Sequence, residues 1–489
     1  MLDYDVVIVG GTITGIYAAI TATKLQGRVA LIQPPPTEIN TVTSPIFSNT
    51  QGFNHNKIIS KIANFVEQIH HKKQFGIYEG TDDSGEVWLK FQEAKKYADY
   101  VVNNQLDKYE PEVLATLGID VIFGEGKFVD RPKLAFVVKG RHLRSRKYLL
   151  ATPSQPIIPA IPGLISTGFI TPEEIQELSK VPETLAVIGG DPSGIEIAQS
   201  FSRLGTQVTI VVKNSHILGK EDSEAAFLVQ AQLEAEGIRI LTQTEVSQVR
   251  KIKNKKWILA RNEAIEVDEI ILAAGNKANL QTLNLEAVGV KFNGHKLLLN
   301  KKLQTSNYRI YGCGDLMGGY SFRHVANYEA RVAIKNILYL PIFSVNYSGI
   351  PWAIFSDPQL ARVGLTEQQA RRRYGENVFV HRQYLKHQDW AQILNKTTGY
   401  CKIVGHSNGK ILGVSVVGNQ ASEIIHVMAL AIREGIKIEA IADLPHIWPT
   451  ASEINGQTAT VWLRQKRENN KIVKDCLLNL FHWRRSLIE

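Results

Sequence analysis

The chain contains 489 residues, of which 44% are hydrophobic and 21% charged, a composition typical of a soluble globular protein with about two to four domains. It has no run of about 18 uncharged apolar residues and enters a strand almost at once, so we expect neither a membrane-spanning helix nor a signal peptide. Its three cysteines, Cys313, Cys401 and Cys476, form no CxxC or CxxxxC pair, so we expect no disulfide framework, no metal site and a reducing cytoplasm.

The formal net charge of +9 suits an anionic partner such as a nucleotide, a membrane surface or a nucleic acid. The basic residues are scattered along the chain, except near the C-terminus. This scatter favours general surface charge over a dedicated patch, and we predict no nucleic-acid partner.

Residues 3–33 have the pattern of a strand–turn–helix–strand unit. Val6–Val9 and Arg28–Ile32 predict strands, and Ile16–Leu25 predicts a helix of small residues. Such a unit places a dinucleotide pyrophosphate at a helix N-terminus. The turn has the first and third glycines of G-x-G-x-x-G but threonine in the middle, and it reads Gly10, Gly11, Thr12, Ile13, Thr14, Gly15. Gln33 replaces the acid that binds a ribose about 20 residues further on.

The segment that follows predicts loops, helices and short strands. Residues 34–56, rich in Pro, Asn and Thr, predict a loop long enough to be functional. We expect helices over Lys57–His71 and residues 88–117, and strands over Ile119–Phe128 and Leu134–Lys139. The Pro-rich stretch near residue 155 indicates a domain boundary.

Residues 183–212 repeat the plan of the first unit. The second turn reads Gly189, Gly190, Asp191, Pro192, Ser193, Gly194, so an aspartate takes the middle position. Two such units, each with its flanking strands and helix, predict two nucleotide sites. Further along, Asp315 follows a short strand and Gly314. It either accepts a hydrogen bond from a sugar hydroxyl or caps the turn.

The pattern changes after residue 348, where strands and helices alternate in a way that predicts a separate α+β domain. The expected strands are Ala361–Val363, Gly399–Val404 and Ile411–Val417, and the expected helices are Glu367–Tyr374 and Glu423–Glu434. Residues 457–489 predict a basic helical tail. The tail suits either an anionic membrane surface, to which the protein would bind peripherally, or docking on the chain's own dimer.

These motifs together resemble the pyridine nucleotide–disulfide oxidoreductases, the group of dihydrolipoamide dehydrogenase and mercuric reductase. The resemblance covers about residues 3–460 and rests on both glycine turns, Ala151-Thr152-Pro153, Ala274-Gly275, Gly314-Asp315, FRHVANYEARVAIKNI, IPWAIFSDPQLARVGLTEQQA and HIWPTASE. It implies an α/β fold with two Rossmann-like dinucleotide-binding domains and a C-terminal α+β domain that forms a homodimer. The implied divisions are an FAD domain of residues 1–150 and 276–345, an NAD(P) domain of 151–275, a dimerisation domain of 346–460 and a basic helical tail of 461–489.

The resemblance implies a relay in which NAD(P)H reduces the flavin and the flavin reduces a nearby dithiol. Alignment on Lys57 places Ser48 and Phe53 at the two cysteine positions of that dithiol. No cysteine precedes Cys313, so this chain cannot form the dithiol there.

A His–Glu pair from the partner subunit handles protons in the family. Trp448 stands at the position of the histidine, as an aromatic residue does in mercuric reductases, and Glu453 is the acid. His446, two residues away, is interpreted as structural.

The resemblance also assigns cofactor residues. Lys57 and Glu196 match an ion pair under the flavin ring, where a cation stabilises the reduced flavin. The positions assigned to FAD are Gly10, Gly11, Thr12, Gly15, Gln33, Lys57, Gly126, Thr152, Gly314, Asp315 and His324. The positions assigned to NADPH or NADH are Gly189, Gly190, Asp191, Gly194, Lys213 and Gly275.

Several of these positions depart from the family pattern. Thr12 suits the flavin pyrophosphate if its hydroxyl donates to a phosphate, and the Gln33 amide can still bond a ribose hydroxyl. Asp191 puts a carboxylate near the second pyrophosphate, a repulsion of about 1–4 kcal/mol for each charge pair. Val212 replaces the acid that selects NAD, and Lys213 follows it, which favours NADPH over NADH.

Two functions are compatible with this pattern. The first is a flavoenzyme that oxidises NAD(P)H and reduces a small non-disulfide acceptor such as a quinone, a metal complex or oxygen. The second is a catalytically degenerate homodimer that binds or regulates. The retained Lys57 and Glu196 favour the enzyme.

Overall fold

The computed structural model describes residues 3–34, 48–70, 90–294, 296–318, 322–469 and 471–487. The chain divides into two compact units. The first comprises Met1–Ser215 with Glu236–Val345, and the second comprises His216–Ala235 with Asn346–Glu489. The segment His216–Ala235 thus lies inside the predicted NAD(P) domain in the sequence but belongs to the second unit in the structure.

The first unit opens with the predicted strand–helix–strand. β1 (Tyr4–Val9) and β2 (Val29–Gln33) pair in parallel, and α1 (Ile13–Lys24) connects them. Alternate side chains of β1 face two separate hydrophobic clusters, with Val6 in one and Val7 in the other. Burial on both faces explains why the four residues Val6–Val9 are all apolar.

Helix α2 (Ser48–His70) begins well before Lys57, so the prediction of a loop through residue 56 is wrong. Residues 35–47 of that loop lie outside the described residues. The sequence suggested a loop because Asn, Thr and Gly are poor helix formers. Tertiary contacts outweigh this preference, since Asn54 Nδ2 donates to Gln105 Oε1 at 3.2 Å and His55 Nε2 lies 2.6 Å from Asp99 Oδ1.

Two predicted elements each divide in two. The helix predicted over residues 88–117 is α3 (Phe91–Leu106) followed by α4 (Pro111–Thr116), because Pro111 lacks the N–H of a helix interior and suits a helix start. The strand predicted at Ile119–Phe128 is β3 (Ile119–Phe123) followed by β4 (Gly126–Val129), with Gly124 between them at a φ of 152°. β4 forms an antiparallel sheet with β5 (Ala135–Val138) and β6 (Arg141–Leu143).

Strand β7 (Ser145–Leu150) pairs in parallel with β1. The segment that connects it to the second strand–helix–strand unit contains β8 (Ser154–Pro156) and α5 (Leu164–Thr167). The unit itself comprises β9 (Thr184–Ile188), α6 (Pro192–Arg203) and β10 (Gln207–Val211). Helix α7 (Ser223–Ala235) lies in the segment that belongs to the second compact unit.

The first unit continues with short strands and one long helix. They are β11 (Arg239–Leu241), β12 (Val246–Ile252), β13 (Lys255–Ala260), β14 (Glu263–Val267), β15 (Glu269–Leu272), β16 (Asn276–Ala278), β17 (Phe292–Asn293), β18 (Lys296–Leu297), β19 (Ile310–Gly312) and α8 (Arg323–Leu338).

Two parallel sheets organise the first unit. One has the strand order β19-β7-β1-β2-β3, and the other has the order β11-β10-β9-β15. Because neighbouring strands are parallel, their carboxyl ends meet at one edge of each sheet, where ligands of such folds bind. Most of the predicted nucleotide-binding residues lie at these two edges.

The second unit contains an antiparallel sheet of order β20-β21-β24-β23-β22. Its strands are β20 (Trp352–Ile354), β21 (Gln359–Gly364), β22 (Val378–Tyr384), β23 (Tyr400–His406) and β24 (Ile411–Gly418). Its later helices are α9 (Glu367–Tyr374), α10 (Asp389–Ile393), α11 (Ala421–Glu434), α12 (Ile438–Asp443), α13 (Glu453–Asn469) and α14 (Lys471–Ser486). Ile425 and Met428 of α11 pack with Val414 of the sheet in one hydrophobic cluster.

A buried ion cluster ties α7 to this sheet. The Lys402 ammonium, 3% exposed, lies 3.0 Å from both carboxylate oxygens of Asp222, 3.1 Å from Glu224 and 3.0 Å from Glu367. Burial by itself lowers the pKa of Lys402, but the bonds to Asp222 and the other two carboxylates outweigh burial, and the net shift is upward. Nearby, the Arg362 guanidinium donates to Glu221 at 2.7 Å.

The tail forms α13 and α14, as its helix-prone sequence predicts. On α14 the side chains of Leu480, Phe481 and Trp483 are exposed, and Arg484 and Arg485 lie in the last turn. Among the described residues, the structure contains no helix with the length and apolar character needed to span a bilayer.

We expect Lys402→Met to lower the free energy of unfolding by about 3–5 kcal/mol, because it leaves the buried carboxylate of Asp222 without its cation and beside the partly exposed carboxylates of Glu224 and Glu367. The measurement is urea unfolding at constant pH. Lys466→Met is the matched control, since the Lys466 ion pair with Glu439 is exposed and such pairs contribute about 0–1 kcal/mol. Equal effects of the two substitutions would show that burial of the cluster does not matter.

Candidate dinucleotide sites

The first glycine turn is held against the end of β7. Gly10 has a φ of 123°, and a Cβ atom there would lie 2.3 Å from the Ala151 carbonyl oxygen. A Cβ atom at Gly15 would lie 2.0 Å from the Gly10 carbonyl oxygen. Both contacts are shorter than any side chain tolerates, so the turn needs glycine at these two positions. Gly11, which follows Gly10 in the turn, is also buried.

Thr12 caps α1 instead of pointing to solvent. Its Oγ1 accepts a hydrogen bond from the Gly15 N–H at 3.1 Å and donates to the Ala151 carbonyl oxygen at 2.9 Å. A hydroxyl has one hydrogen, and here the Ala151 carbonyl takes it. The threonine fits the turn because its hydroxyl forms hydrogen bonds with protein atoms, and donation from Thr12 to a phosphate stays a prediction.

Two buried polar atoms lie at the same edge of the sheet. Gln33 is the last residue of β2 and is 1% exposed. Its side-chain Oε1 has no hydrogen-bond partner among the described residues. Thr152 Oγ1, next to Ala151, is also buried without a partner in the described parts of the chain. Buried polar atoms are normally bonded, so these two suit the hydroxyl or phosphate groups of a bound dinucleotide.

Asp315 lies on the turn after β19, beside β8. Its Oδ2 accepts a hydrogen bond from Ser154 Oγ at 2.7 Å, and the Gly314 N–H donates to Glu329 Oε2 at 2.7 Å. Asp315 is partly exposed, which keeps a carboxylate at the edge where β7 and β19 end.

Two other positions assigned to FAD lie in β4, which follows β3, and in the first turn of α8, the helix that contacts Gly314. Gly126 is in β4, where a Cβ atom would lie 2.4 Å from the Phe136 ring, so packing alone accounts for glycine there. His324 is exposed in the first turn of α8, with its ring 5.7 Å from that of Phe322.

The Lys57 ammonium and the Glu196 carboxylate form an ion pair between α2 and α6. Glu196 is buried, with 5% of its side chain exposed, while Lys57 is 25% exposed. The sequence predicted this pair from a resemblance, and the structure brings the two side chains together. Ser48 and Phe53 lie in α2, but the structure describes only their backbone.

The second glycine turn repeats the packing of the first. A Cβ atom at Gly189 would lie 2.0 Å from the Ala273 carbonyl oxygen, and one at Gly194 would lie 2.4 Å from the Ala273 side chain. Asp191 starts α6 without capping it, and its Oδ2 lies 3.1 Å from where a Cβ atom on Gly275 would be. The carboxylate therefore lies between the ends of β9 and β15, and Gly190, partly buried, precedes it.

Lys213 follows β10, and its exposed ammonium lies 2.6 Å from Glu245. The hydrogen bond to Glu245 raises the pKa of Lys213. A 2′-phosphate at this position would therefore meet an acid as well as the lysine.

Trp448 and Glu453 both lie in the second compact unit. The Trp448 indole is 64% exposed and donates through Nε1 to Asp389 Oδ2 at 2.8 Å. Glu453 begins α13 and accepts from Gln457 Nε2 at 2.8 Å. The His446 ring approaches Gly456, and its Nδ1 lies 2.8 Å from the Leu444 carbonyl oxygen, which agrees with a structural role.

The three thiols differ in exposure. Cys313 and Cys401 are buried, and burial raises the pKa of both, that of Cys401 to about 12, so neither forms a thiolate readily. Cys476 is exposed on α14. Among the described residues, no group of three or more His, Cys, Asp and Glu side chains is arranged to hold a metal ion.

Sequence reasoning missed several polar partners of these sites. They are the His55–Asp99 contact between α2 and α3, the Ser60–Ser200 contact between α2 and α6, and the Asn64–Arg203–Glu236 bonds. No motif marks these residues, because their partners are distant in the sequence.

Comparison with known proteins identifies the family to which this chain belongs. Residues 4–330 match the model of the pyridine nucleotide-disulphide oxidoreductases. The chain belongs to that family. Residues 350–459 match the model of the family's dimerisation domain, which supports a homodimer. The predicted fold, two dinucleotide-binding regions followed by a dimerisation domain, is confirmed.

The relatives are flavin oxidoreductases. The chain is 31% identical to a mercuric reductase of Staphylococcus aureus over 448 residues, which cover 90% of this chain and 79% of that protein. It is 30% identical to a dihydrolipoyl dehydrogenase of Chlamydia pneumoniae over 464 residues, which cover 92% and 95%. These relatives place the chain in an FAD-dependent family that uses NAD(P)H and support its being an enzyme.

A solved structure shows the same fold. It is the Cu(II) complex of the HOCl-induced flavoprotein disulfide reductase RclA from Escherichia coli, with a TM-score of 0.80 and 24% sequence identity. The match covers 94% of this chain and 100% of that chain.

We expect Thr12→Ala to destabilise the first unit by about 1 kcal/mol, because α1 loses its N-cap. Thr12→Ser keeps the hydroxyl and is the control, with unfolding close to that of the wild type. Thermal or urea unfolding of the purified proteins measures the difference. If serine destabilises as much as alanine, the hydroxyl is not the stabilising group.

Proposed function

We propose that this chain is an FAD-dependent oxidoreductase that oxidises NAD(P)H and passes the electrons to a small non-disulfide acceptor. The observation that carries the proposal is the Lys57–Glu196 ion pair in a chain with no cysteine before Cys313. A buried glutamate with a lysine partner suits an electrostatic role beside a flavin. Electron transfer without the family's dithiol needs an acceptor that reacts with the reduced flavin directly.

The residues at the edge of the first sheet suit FAD. The glycine turn and the N-terminus of α1 would hold the pyrophosphate, since backbone N–H groups at a helix start favour anions. Gln33 Oε1 and Thr152 Oγ1 would supply hydrogen-bond acceptors to the bound dinucleotide, and Asp315 would bond a hydroxyl. Bound FAD would supply the hydride acceptor and the electron store.

Lys57 would stabilise negative charge as the flavin is reduced. Glu196 holds the ammonium in place and is itself nearly excluded from solvent. Trp448, at the position of the family histidine, has no proton to exchange near neutral pH, so proton transfer in this chain would rely on Glu453 or on water.

The names of relatives point to one class of acceptor. The solved structure is a Cu(II) complex, and another relative is a mercuric reductase. A metal ion or complex is therefore the first acceptor to examine, before a quinone or oxygen. The alternative function, a degenerate binding or regulatory homodimer on the same fold, draws its support from the changed positions, which are both thiols, the histidine, the two middle glycines and the two ribose acids.

The dimer would use exposed apolar residues of the second unit. Val427 and Leu430 on α11, with Leu444, Ile447 and Trp448, are exposed in the single chain. Contact of α14 with an anionic membrane stays a prediction, as does its docking on the partner subunit. The expected cytoplasmic location also stays a prediction.

We expect the purified protein to show a flavin absorption band that NADPH bleaches anaerobically and that Cu(II), Hg(II), a soluble quinone or oxygen restores. Oxidised lipoamide and oxidised glutathione are the controls, and neither should restore it. Lys57→Met should slow the bleaching, because the reduced flavin loses its neighbouring cation. A colourless protein, or a yellow protein that neither NADPH nor NADH bleaches, would contradict the proposed enzymatic function. It would favour the alternative, a binding or regulatory homodimer.

We expect Asp191→Gly to lower the dissociation constant for NADPH by about tenfold or more at low salt, which corresponds to at least ~1.4 kcal/mol of repulsion removed. Added salt should reduce the difference between variant and wild type, because it screens the charge. Asp191→Asn is the control that removes the charge but keeps the size. Unchanged affinity in both variants would show that the carboxylate does not face the nucleotide.

A further inference from the structure

Helices α2 and α6 are joined by a ladder of three polar contacts. Lys57, Ser60 and Asn64 lie on one stripe of α2, and Glu196, Ser200 and Arg203 lie on one stripe of α6. The contacts are Lys57–Glu196, Ser60–Ser200 with 2.7 Å between the hydroxyl oxygens, and Asn64–Arg203 with 2.5 Å from Oδ1 to Nη1.

The middle contact has a fixed direction. Ser200 Oγ donates to the Glu196 carbonyl oxygen at 2.7 Å, which uses its one hydrogen. Ser60 must therefore donate to Ser200. This chain of hydrogen bonds ends on the backbone of Glu196, while Lys57 bonds its carboxylate. Helix α2 thus holds Glu196 both at its side chain and through its main chain.

The third contact is anchored beyond the two helices. Arg203 is 4% exposed, and its Nε and Nη2 donate to the two carboxylate oxygens of Glu236 at 2.9 and 2.8 Å. Gln199 Nε2 donates to the same carboxylate at 3.0 Å. A two-point arginine–carboxylate pair fixes the orientation of the guanidinium, and with it the contact to Asn64.

We infer that Ser60, Ser200, Asn64 and Arg203 are positioning residues that fix the Lys57–Glu196 pair in the flavin site. The inference rests on the proposed function. Directional bonds set the register of two helices, whereas apolar packing tolerates small shifts. A slide of α2 along α6 would break all three contacts together. The ladder therefore keeps the Lys57 ammonium at one place relative to Glu196 and the rest of α6.

The test removes both serine hydroxyls at once without adding bulk to the buried contact. Ser60→Ala/Ser200→Ala removes donor and acceptor together, so no buried polar atom is left without a partner. Ser202→Ala is the matched control, because Ser202 is also on α6 and its hydroxyl makes a 3.4 Å contact with the Glu236 carbonyl oxygen instead of a contact with α2. Glu196→Gln serves as the reference for a disrupted pair.

The first readout is the rate at which Lys57 is modified by reductive methylation, followed by peptide mass spectrometry across pH. We expect a several-fold faster modification in the double-alanine variant, approaching that of Glu196→Gln, and no change in Ser202→Ala. This readout does not need the flavin. Wild-type rates in the double-alanine variant would overturn the inference.

The second readout is the flavin midpoint potential of the holoenzyme. We expect the double-alanine variant to shift it in the same direction as Lys57→Met, and to add no shift when combined with Lys57→Met. If the double-serine substitution shifts the potential as much in the Lys57→Met background as in the wild type, the serines act independently of Lys57 and the inference is overturned. If the wild type contains no flavin, the proposed function fails, but the methylation rates still test whether the ladder positions Lys57.

Discussion

The close approach of Gly10 to the Ala151 carbonyl oxygen is the contact on which the first site depends. It fixes the turn after β1 against the end of β7, and parallel pairing brings the ends of β2 and β19 to the same edge. Without a side chain at Gly10 the backbone can approach, and α1 starts where an anion would bind. Gln33, Thr152 and Asp315 all lie near this edge because of that arrangement.

The second turn has the same packing but a different charge. Gly189 and Gly194 press against Ala273 as closely as their counterparts do in the first turn. Thr12 is neutral and bonds protein atoms, whereas Asp191 carries a carboxylate to the sheet edge beside Gly275. The two nucleotide regions therefore share a backbone and differ in what the middle residue presents to a phosphate.

Polar contacts between distant segments stabilise both units. In the first unit the ladder of α2 and α6 joins residues that are far apart in sequence, and it ends on Glu196. In the second unit Lys402 is surrounded by the carboxylates of Asp222, Glu224 and Glu367, so a segment from the middle of the chain joins the C-terminal sheet. Each of these contacts has at least one buried partner, and burial strengthens a well-oriented polar bond.

The sequence by itself determined the strand–helix–strand units, their glycine turns, the missing dithiol and the family, because these features are encoded locally by apolar periodicity, glycine positions and residue identity. The start of α2 at Ser48 was decided only by the tertiary structure, since Asn54 and His55 favour helix there through partners on α3. The direction of the Thr12 hydroxyl, the burial of Gln33 and the ladder also required the fold. Each depends on which distant atoms lie within hydrogen-bond distance, and no local pattern specifies that.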